Sequence, residues 1–205
     1  LIKPLLIKNS LGEVLSQNKL NQLRITETEK YAHITYFFNG GIEDCFPEED
    51  RILIPSPRVE TYDEKPEMSA YELTKELENK IETNKYNFIL TNFANPDMVG
   101  HTGNLRATIK AIEVVDECLG RIYKKCLDNN YILIVTSDHG NADVMYNKDD
   151  EIKCTTHSIN PVPFIICENF KFIKNKGSLA DIAPTILKIM NIKTPEEMQG
   201  SCLIE

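Results

Sequence analysis

Two apolar runs of strand length frame a long helical pattern in the middle of the chain. The runs are residues 87–94 (NFILTNFA) and 131–136 (YILIVT). Between them, apolar residues recur at steps of three or four and predict one amphipathic helix. These residues are Leu105, Ile109, Ile112, Val115, Leu119, Ile122 and Cys126. Strand, long helix and strand form a βαβ unit, which predicts an α/β fold with a mainly parallel sheet and helices on both faces.

Two shorter runs and one ambiguous segment complete the strand pattern. Residues 51–54 (RILI) and 163–167 (PFIIC) are shorter candidates of the same kind. Residues 30–38 hold β-branched and aromatic side chains that are typical of a strand. The Asn-Gly-Gly sequence that follows them instead favours a helix with a glycine C-cap. We expect a helix there.

Helix starts are marked by capping signals. A serine followed three residues later by a glutamate is the capping-box pattern, and it occurs at Ser10 and at Ser69. Asp181 is predicted to cap a last helix. Pro184 falls in the first turn of that helix, where a missing N–H group is tolerated.

Composition excludes several classes of protein. The 205 residues include 23 basic and 31 acidic side chains, for a net charge of −8, whereas a nucleic-acid binder normally shows a basic stripe. No stretch approaches the ~20 apolar residues that span a bilayer, and the first residues do not resemble a signal peptide. We therefore expect neither a membrane nor a nucleic-acid partner. Because no linker or repeat divides the chain, one domain over residues 1–205 is predicted.

The cysteines indicate a reducing environment. All six are scattered and none belongs to a Cys-x-x-Cys pair, so free thiols and a cytoplasmic location are expected. Cys154 lies three residues before His157, but a tetrahedral zinc site would need a second pair of ligands. Zinc binding through Cys154 is not expected.

Paired aspartates and histidines follow both long apolar runs. Asp97 and His101 follow the first run, and Asp138 and His139 follow the second. In open α/β sheets, ligands bind at the carboxyl ends of the strands. His157 is a third candidate imidazole. Such mixed ligands suit Mn²⁺, Zn²⁺ or Fe²⁺ better than Mg²⁺. For one pair alone, a turn-capping Asp beside a surface His is the simpler interpretation; two pairs and a third His favour a metal.

The predicted site lacks an obvious nucleophile. Two neighbouring dications can polarise a phosphoryl group and activate a serine hydroxyl. The sequence contains no Gly-x-Ser-x-Gly elbow and no glycine-rich phosphate loop. Ser137 adjoins Asp138, and its expected role is to shape the loop. Ligand counting gives one three-ligand set and half of a second, so the site is predicted to be incomplete.

Longer strings occur in order over nearly the whole chain. They are residues 23–41 (LRITETEKYAHITYFFNGG), 51–72 (RILIPSPRVETYDEKPEMSAYE), 93–104 (FANPDMVGHTGN), 137–142 (SDHGNA), 156–164 (THSINPVPF) and 179–187 (LADIAPTIL). This series resembles the cofactor-independent (2,3-bisphosphoglycerate-independent) phosphoglycerate mutases, which belong to the alkaline phosphatase superfamily. Thr156 departs from the family pattern, which has a small residue there.

The resemblance implies roles for individual residues. Asp97, His101 and His157 would hold one Mn²⁺, and a second set would help to hold another Mn²⁺. That second set consists of Asp138 and His139. Lys30 would reach the phosphoryl group of the substrate, although its sequence context alone predicts a solvated surface lysine.

The resemblance also implies a fold and its boundaries. It is the alkaline-phosphatase-like three-layer sandwich with a mainly parallel sheet, here N-terminally incomplete. Residues 1–205 would be the C-terminal part of the metal-binding, phosphatase-like domain. The segment that carries the nucleophilic serine and the inserted substrate domain match nothing in the chain. The missing N-terminal part of the same protein is therefore an expected partner.

The implied activity is the interconversion of 3-phosphoglycerate and 2-phosphoglycerate, in glycolysis and gluconeogenesis, through a phosphoserine intermediate at a two-manganese site. The chain alone is expected to be inactive because it lacks the nucleophile. Two alternatives remain open. One is a related metal-dependent phosphatase or phosphopentomutase, and the other is a metal-binding module that a separate chain completes.

Overall fold

The computed structural model describes residues 7–146 and 153–205. The helices are α1 (Leu11–Gln17), α2 (Ala70–Glu82), α3 (Asn95–Gly100), α4 (Leu105–Asp128) and α5 (Ile182–Ile189). The strands are β1 (Gln22–Glu27), β2 (Glu49–Ile54), β3 (Phe88–Asn92), β4 (Ile134–Thr136) and β5 (Phe164–Ile166). Short 3₁₀ turns and one π-helical turn (His33–Phe37) connect them.

β1 is the central strand of a parallel sheet with the order β2-β1-β3. Gln22 at its start lies opposite Glu49 of β2 and Phe88 of β3. Three parallel strands end at the same edge, and the chain leaves β1 and β3 there through Lys30 and Asp97. The expected α/β class with a parallel sheet is confirmed.

β4 and β5 form a second, antiparallel pair in which Val135 lies opposite Ile165. Within the described ranges, β3 pairs only with β1, and β4 pairs only with β5. The predicted strand–helix–strand unit is present in chain order as β3, α4 and β4, but its two strands are not hydrogen-bonded neighbours. They are joined near their starts, where the Tyr131 hydroxyl donates to the Tyr86 carbonyl at 2.6 Å.

One face of the parallel sheet packs against α2 and α4. Side chains alternate along a strand, so Leu23 and Ile25 of β1 point to the same face, and both are fully buried. They form a core cluster with Leu73 and Leu77 of α2 and Ile122 of α4.

The opposite face of the sheet packs against α1 and α5. Leu15 of α1 and Leu187 of α5 are buried there, in contact with Phe88. Arg24 of β1 points to the same face and lies 4.6 Å from the ring centroid of Phe38. Burial lowers the pKa of this guanidinium to about 10, although the charge of Glu49 partly opposes the shift. Helices on both faces give the three layers that were predicted.

α4 buries a different face from the one that its apolar spacing predicted. The buried set is Ala107, Thr108, Ala111, Val114, Cys118, Ile122 and Cys126. The predicted stripe shares only its last two residues with this set, and Leu105, Ile109 and Ile112 are 40, 52 and 43% exposed. α4 carries apolar residues on two faces, and small side chains on the buried face allow close approach to α2 and α3. Among the described helices, none is both long enough and apolar enough to cross a membrane.

The capping predictions have mixed outcomes. Ser10 caps α1, where its hydroxyl accepts from the Glu13 amide at 3.4 Å. The capping box predicted at Ser69 is wrong, because that hydroxyl donates to the Pro55 carbonyl at 2.7 Å instead. Asp181 does not cap α5 with its side chain; its carboxylate accepts from the Ser178 amide at 2.8 Å and closes the preceding turn.

The ambiguous segment is helical, as we expected. The π-helical turn His33–Phe37 follows directly after Lys30 and its 3₁₀ turn (Thr28–Lys30). It is followed by Gly40 and Gly41, whose φ angles of 69° and 90° lie in the left-handed region that favours glycine. This turn returns the chain toward α1 and leaves Lys30 at the carboxyl edge of the sheet.

Candidate metal centre

The topology brings the predicted ligands to one edge of the sheet. Asp97 lies in α3, directly after β3, and Pro96 lies in the first turn of that helix. The helical turn places the His101 amide 3.0 Å from the Asp97 carbonyl, so both side chains lie on one side of it. The loop after β4 carries His139, and the segment before β5 carries His157.

Three ligand atoms form a nearly equilateral triangle. Asp97 Oδ1 lies 3.1 Å from His101 Nε2 and 3.2 Å from His157 Nε2. The two Nε2 atoms are 3.2 Å apart. Ligands that share one dication at about 2.0–2.2 Å are separated by about 3.0–3.5 Å in tetrahedral or octahedral geometry. The donor set and its spacing therefore fit a divalent transition metal.

Hydrogen bonding prepares His101 to act as a ligand. Its Nδ1 lies 2.7 Å from the carbonyl oxygen of Thr155, which can only accept a hydrogen bond. The proton of the neutral ring is therefore held on Nδ1, and the lone pair of Nε2 points toward Asp97 and His157. A carbonyl that fixes the tautomer of a histidine in this way is a recurring feature of metal sites.

Lys30 is buried against the ligand carboxylate. Its side chain pairs with Asp97 Oδ2, and the whole residue is only 6% exposed. The prediction from sequence context that Lys30 is a solvated surface lysine is therefore wrong. Burial by itself would raise the pKa of Asp97, but hydrogen bonds from Lys30 and Asn141 and the positive charge of Lys30 lower it to about 2. The carboxylate is thus ionised at any pH at which the protein would work.

His139 lies beside the triangle. Its ring stacks on that of His157, with the centroids 3.6 Å apart and the planes inclined by 17°. Ligand atoms of Asp97, His139 and His157 all lie within 4.8 Å of one another. Asp138 lies further out: its side chain is 53% exposed, and its Oδ2 is 3.5 Å from His139 Nε2. Asp97 and His157 thus lie close to both His101 and His139, and the fifth predicted ligand, Asp138, adjoins His139.

Sequence reasoning missed Asn141 as part of the site. Its amide nitrogen donates to Asp97 Oδ1 at 2.7 Å and lies 3.3 Å from the Asp97 carbonyl. The residue is 5% exposed. Its position in the Ser-Asp-His-Gly-Asn string directly after a strand was the available signal. Asn141 couples the loop after β4 to α3 and fixes the orientation of the Asp97 carboxylate.

Comparisons with known proteins identify the family of the chain. A family profile described as the metalloenzyme superfamily matches residues 2–194. The 2,3-bisphosphoglycerate-independent phosphoglycerate mutase of Ehrlichia ruminantium (strain Gardel) is 58% identical over 200 residues, which are 97% of this chain and 40% of that protein. The protein of the same name from Antithamnion sp. is 59% identical over 201 residues, which are 96% of this chain and 39% of that protein.

A solved structure shows the same fold. Phosphoglycerate mutase of Leishmania mexicana, determined at low cobalt concentration, superposes with a TM-score of 0.87 at 33% identity. The match covers 96% of this chain and 39% of that one. The chain thus spans about 40% of the length of the curated relatives it matches, and its resemblance to the cofactor-independent mutases is confirmed. Since the family profile matches nearly its whole length, the chain belongs to the metalloenzyme superfamily.

Proposed function

We propose that this chain forms the metal-binding part of the active site of a cofactor-independent phosphoglycerate mutase, and that residues 1–205 are the C-terminal part of its phosphatase-like domain. The parent enzyme would interconvert 3-phosphoglycerate and 2-phosphoglycerate in cytoplasmic glycolysis. The triangle of Asp97, His101 and His157 carries the proposal, because three potential ligand atoms from distant parts of the chain lie at the spacing expected around one dication.

Two Mn²⁺ ions are the proposed metals. Asp97, His101 and His157 would hold one of them, and Asp138 and His139 would contribute to the other. When bound, such ions supply charge that polarises the phosphoryl oxygens and lowers the pKa of a serine hydroxyl. The mixed carboxylate and imidazole donors suit Mn²⁺ or a similar divalent transition metal.

Lys30 would complete the electrostatic environment of the transferring phosphoryl group. Its ammonium has three donors, and Asp97 Oδ2 uses one of them. The other two can donate to phosphoryl oxygens at the same edge of the sheet, while the ion pair holds the ammonium in place. Fixed positive charge directed at developing negative charge is the usual protein contribution to phosphoryl transfer.

The rest of the parent protein would supply the nucleophilic serine and the groups that grip the substrate. The glycerate carboxylate and hydroxyls would contact that part of the protein. In a coupled assay with 3-phosphoglycerate, we therefore expect the 205-residue chain alone to give no turnover above blank. Clear turnover would contradict the assignment of the nucleophile to another segment.

A chimera tests the activity directly. This chain would replace the matching 200 residues of the Ehrlichia ruminantium relative, to which it is 58% identical. We expect the chimera to convert 3-phosphoglycerate in the presence of Mn²⁺, and Lys30→Met to lower its kcat by about 10²–10³. A folded chimera that loads Mn²⁺ but hydrolyses phosphate esters without forming 2-phosphoglycerate would contradict the mutase proposal and favour a phosphatase.

A further inference from the structure

Asp143 forms a cluster of hydrogen bonds between the two loops that carry His139 and His157. The Ser158 hydroxyl donates to the Asp143 carboxylate, with distances of 3.0 and 2.9 Å to its two oxygens. The Asn160 amide donates to Asp143 Oδ2 at 2.7 Å. We refer to the side chains of Asp143, Ser158 and Asn160 as the Asp143 latch.

The backbone next to the latch brings Ser158 close to Gly140. The Ser158 amide donates to the Gly140 carbonyl at 2.8 Å, which forms an isolated antiparallel bridge. A Cβ atom on Gly140 would lie only 2.3 Å from Ser158 Oγ and 2.8 Å from Asp143 Oδ1. The latch thus occupies the space that any side chain at position 140 would fill.

The latch immediately adjoins both stacked histidines. Ser158 follows His157 in the chain, and Gly140 follows His139, so the bridge joins the residues directly after the two rings, whose centroids are 3.6 Å apart. Nevertheless, the His157 side chain is 48% exposed, and apolar packing therefore constrains it little. Besides its stacking on His139, the hydrogen bonds of the next residue, Ser158, are therefore what restrains it near Asp97.

We propose that Asp143 is a positioning residue for His157: through Ser158 and Asn160 it holds the imidazole at the metal centre without itself touching the ion. This inference rests on the proposed metal centre. Residues that orient a metal ligand typically change metal affinity by about 10–100-fold when they are removed.

Cobalt(II) binding to the 205-residue chain provides the first test. Co²⁺ is a suitable probe because its visible absorption changes with the number of nitrogen ligands. We expect Asp143→Ala and Ser158→Ala each to weaken Co²⁺ binding about tenfold or more and to alter the absorption band. The double variant should bind like Asp143→Ala alone, because both residues act through one contact. Asp50→Asn is the matched control, since Asp50 also accepts two side-chain hydrogen bonds but lies at the opposite end of the sheet.

A second measurement does not depend on metal. In the metal-free chain, stacking on His139 shifts the ring proton signals of His157 in an NMR spectrum. Asp143→Ala and Ser158→Ala should move these signals toward their values in an unfolded chain, and Asp50→Asn should not. If Asp143→Ala fails to fold, Ser158→Ala, which removes a single hydroxyl, provides the same readout.

The possible outcomes separate the two proposals. Unchanged His157 signals and Co²⁺ affinity within about twofold of the unaltered chain would overturn the role of Asp143. Shifted His157 signals in a chain that binds no Co²⁺ would support the latch and contradict the metal centre.

Discussion

The Nε2 atoms of His101 and His157 lie 3.2 Å apart although 56 residues separate them in the chain. Most of these residues belong to α4 and to the loop after β4. The fold thus returns the chain to the carboxyl edge of the sheet after a long crossover. The first prediction tests whether His157, which this return brings to the site, is needed for metal binding.

Replacing His157 with alanine should abolish Mn²⁺ binding, because it removes one corner of the ligand triangle and leaves two protein ligands. The electron paramagnetic resonance signal of free Mn²⁺, followed in a titration, measures this directly. His33→Ala is the control: His33 is exposed and packs edge-on against Phe37 with centroids 5.6 Å apart. An equal loss of binding in both variants would contradict the assignment.

Replacing Lys30 with methionine should raise the pKa of Asp97 from about 2. The variant removes both a hydrogen bond and a positive charge while burial, which favours the neutral acid, persists. Because the lowered pKa stabilises the fold above pH 3.8 and this stability is lost as the pH falls toward 2, the variant should also lose less stability on acidification.

The ¹³C NMR signal of the Asp97 carboxyl carbon, followed against pH, checks this prediction. Lys110→Met is a suitable control because Lys110 forms an exposed ion pair with Glu113 within α4. An Asp97 titration that is the same with and without the Lys30 ammonium would rule out the ion pair as the source of the shift.

Glu27 should make the unfolding free energy depend on pH in the neutral range. It is fully buried at the end of β1, and its Oε2 accepts from the Ser56 hydroxyl at 2.9 Å. Burial raises its pKa from 4.5 to about 7, although hydrogen bonds from Ser56 and Ser69 oppose the shift. Because the folded chain holds a proton that the unfolded chain has released, stability should fall by up to about 1.4 kcal/mol per pH unit as the pH rises from 4.5 to 7.

Urea unfolding at several pH values measures this slope. Glu27→Gln, which keeps the size and mimics the neutral acid, should remove the contribution of Glu27 to the slope in that window. A slope that persists unchanged in Glu27→Gln would place the titration on another group.

Two glycines should respond oppositely to alanine. A Cβ on Gly200 would lie 1.9 Å from the Ala180 carbonyl oxygen, which is backbone and cannot rotate away. Gly200→Ala should therefore destabilise the fold by about 2 kcal/mol or more. At Gly120 of α4, a Cβ meets nothing within 4 Å, so Gly120→Ala should stabilise the fold by about 0.5–1 kcal/mol. Chemical denaturation of both variants provides the comparison, and destabilisation by Gly120→Ala would contradict it.

The strands with continuous apolar runs were predictable, whereas the central strand was not. β3 and β4 lie inside the predicted runs. β1 alternates buried apolar residues with Gln22, Arg24 and Thr26, which are also buried. Polar residues in a strand normally indicate a solvent-facing position. In the structure, Arg24 packs between Phe38 and Phe88 and donates to the Gln22 side-chain oxygen. The Thr26 hydroxyl donates to the Asn92 carbonyl at 2.9 Å, so these buried polar groups are paired by contacts that the sequence pattern does not show.

The site was predictable as a set of residue types but not as a geometry. Asp97 and His101 follow a strand at helical spacing, and this local pattern led to the metal hypothesis. The burial of Lys30 depends on contact with a residue 67 positions away, which no local pattern encodes. The sequence also did not predict which face of α4 is buried, because periodicity alone cannot choose between two apolar faces of the same helix.

The contact between Lys30 and Asp97 has a consequence for charge balance. The aspartate contributes −1 and the lysine +1, and neutral imidazoles add nothing, so the ligand triangle and its neighbouring ammonium sum to zero. A dication bound there would therefore add a net charge of +2, because these residues do not neutralise it. A doubly negative group such as a phosphate monoester is the counterion that would restore neutrality.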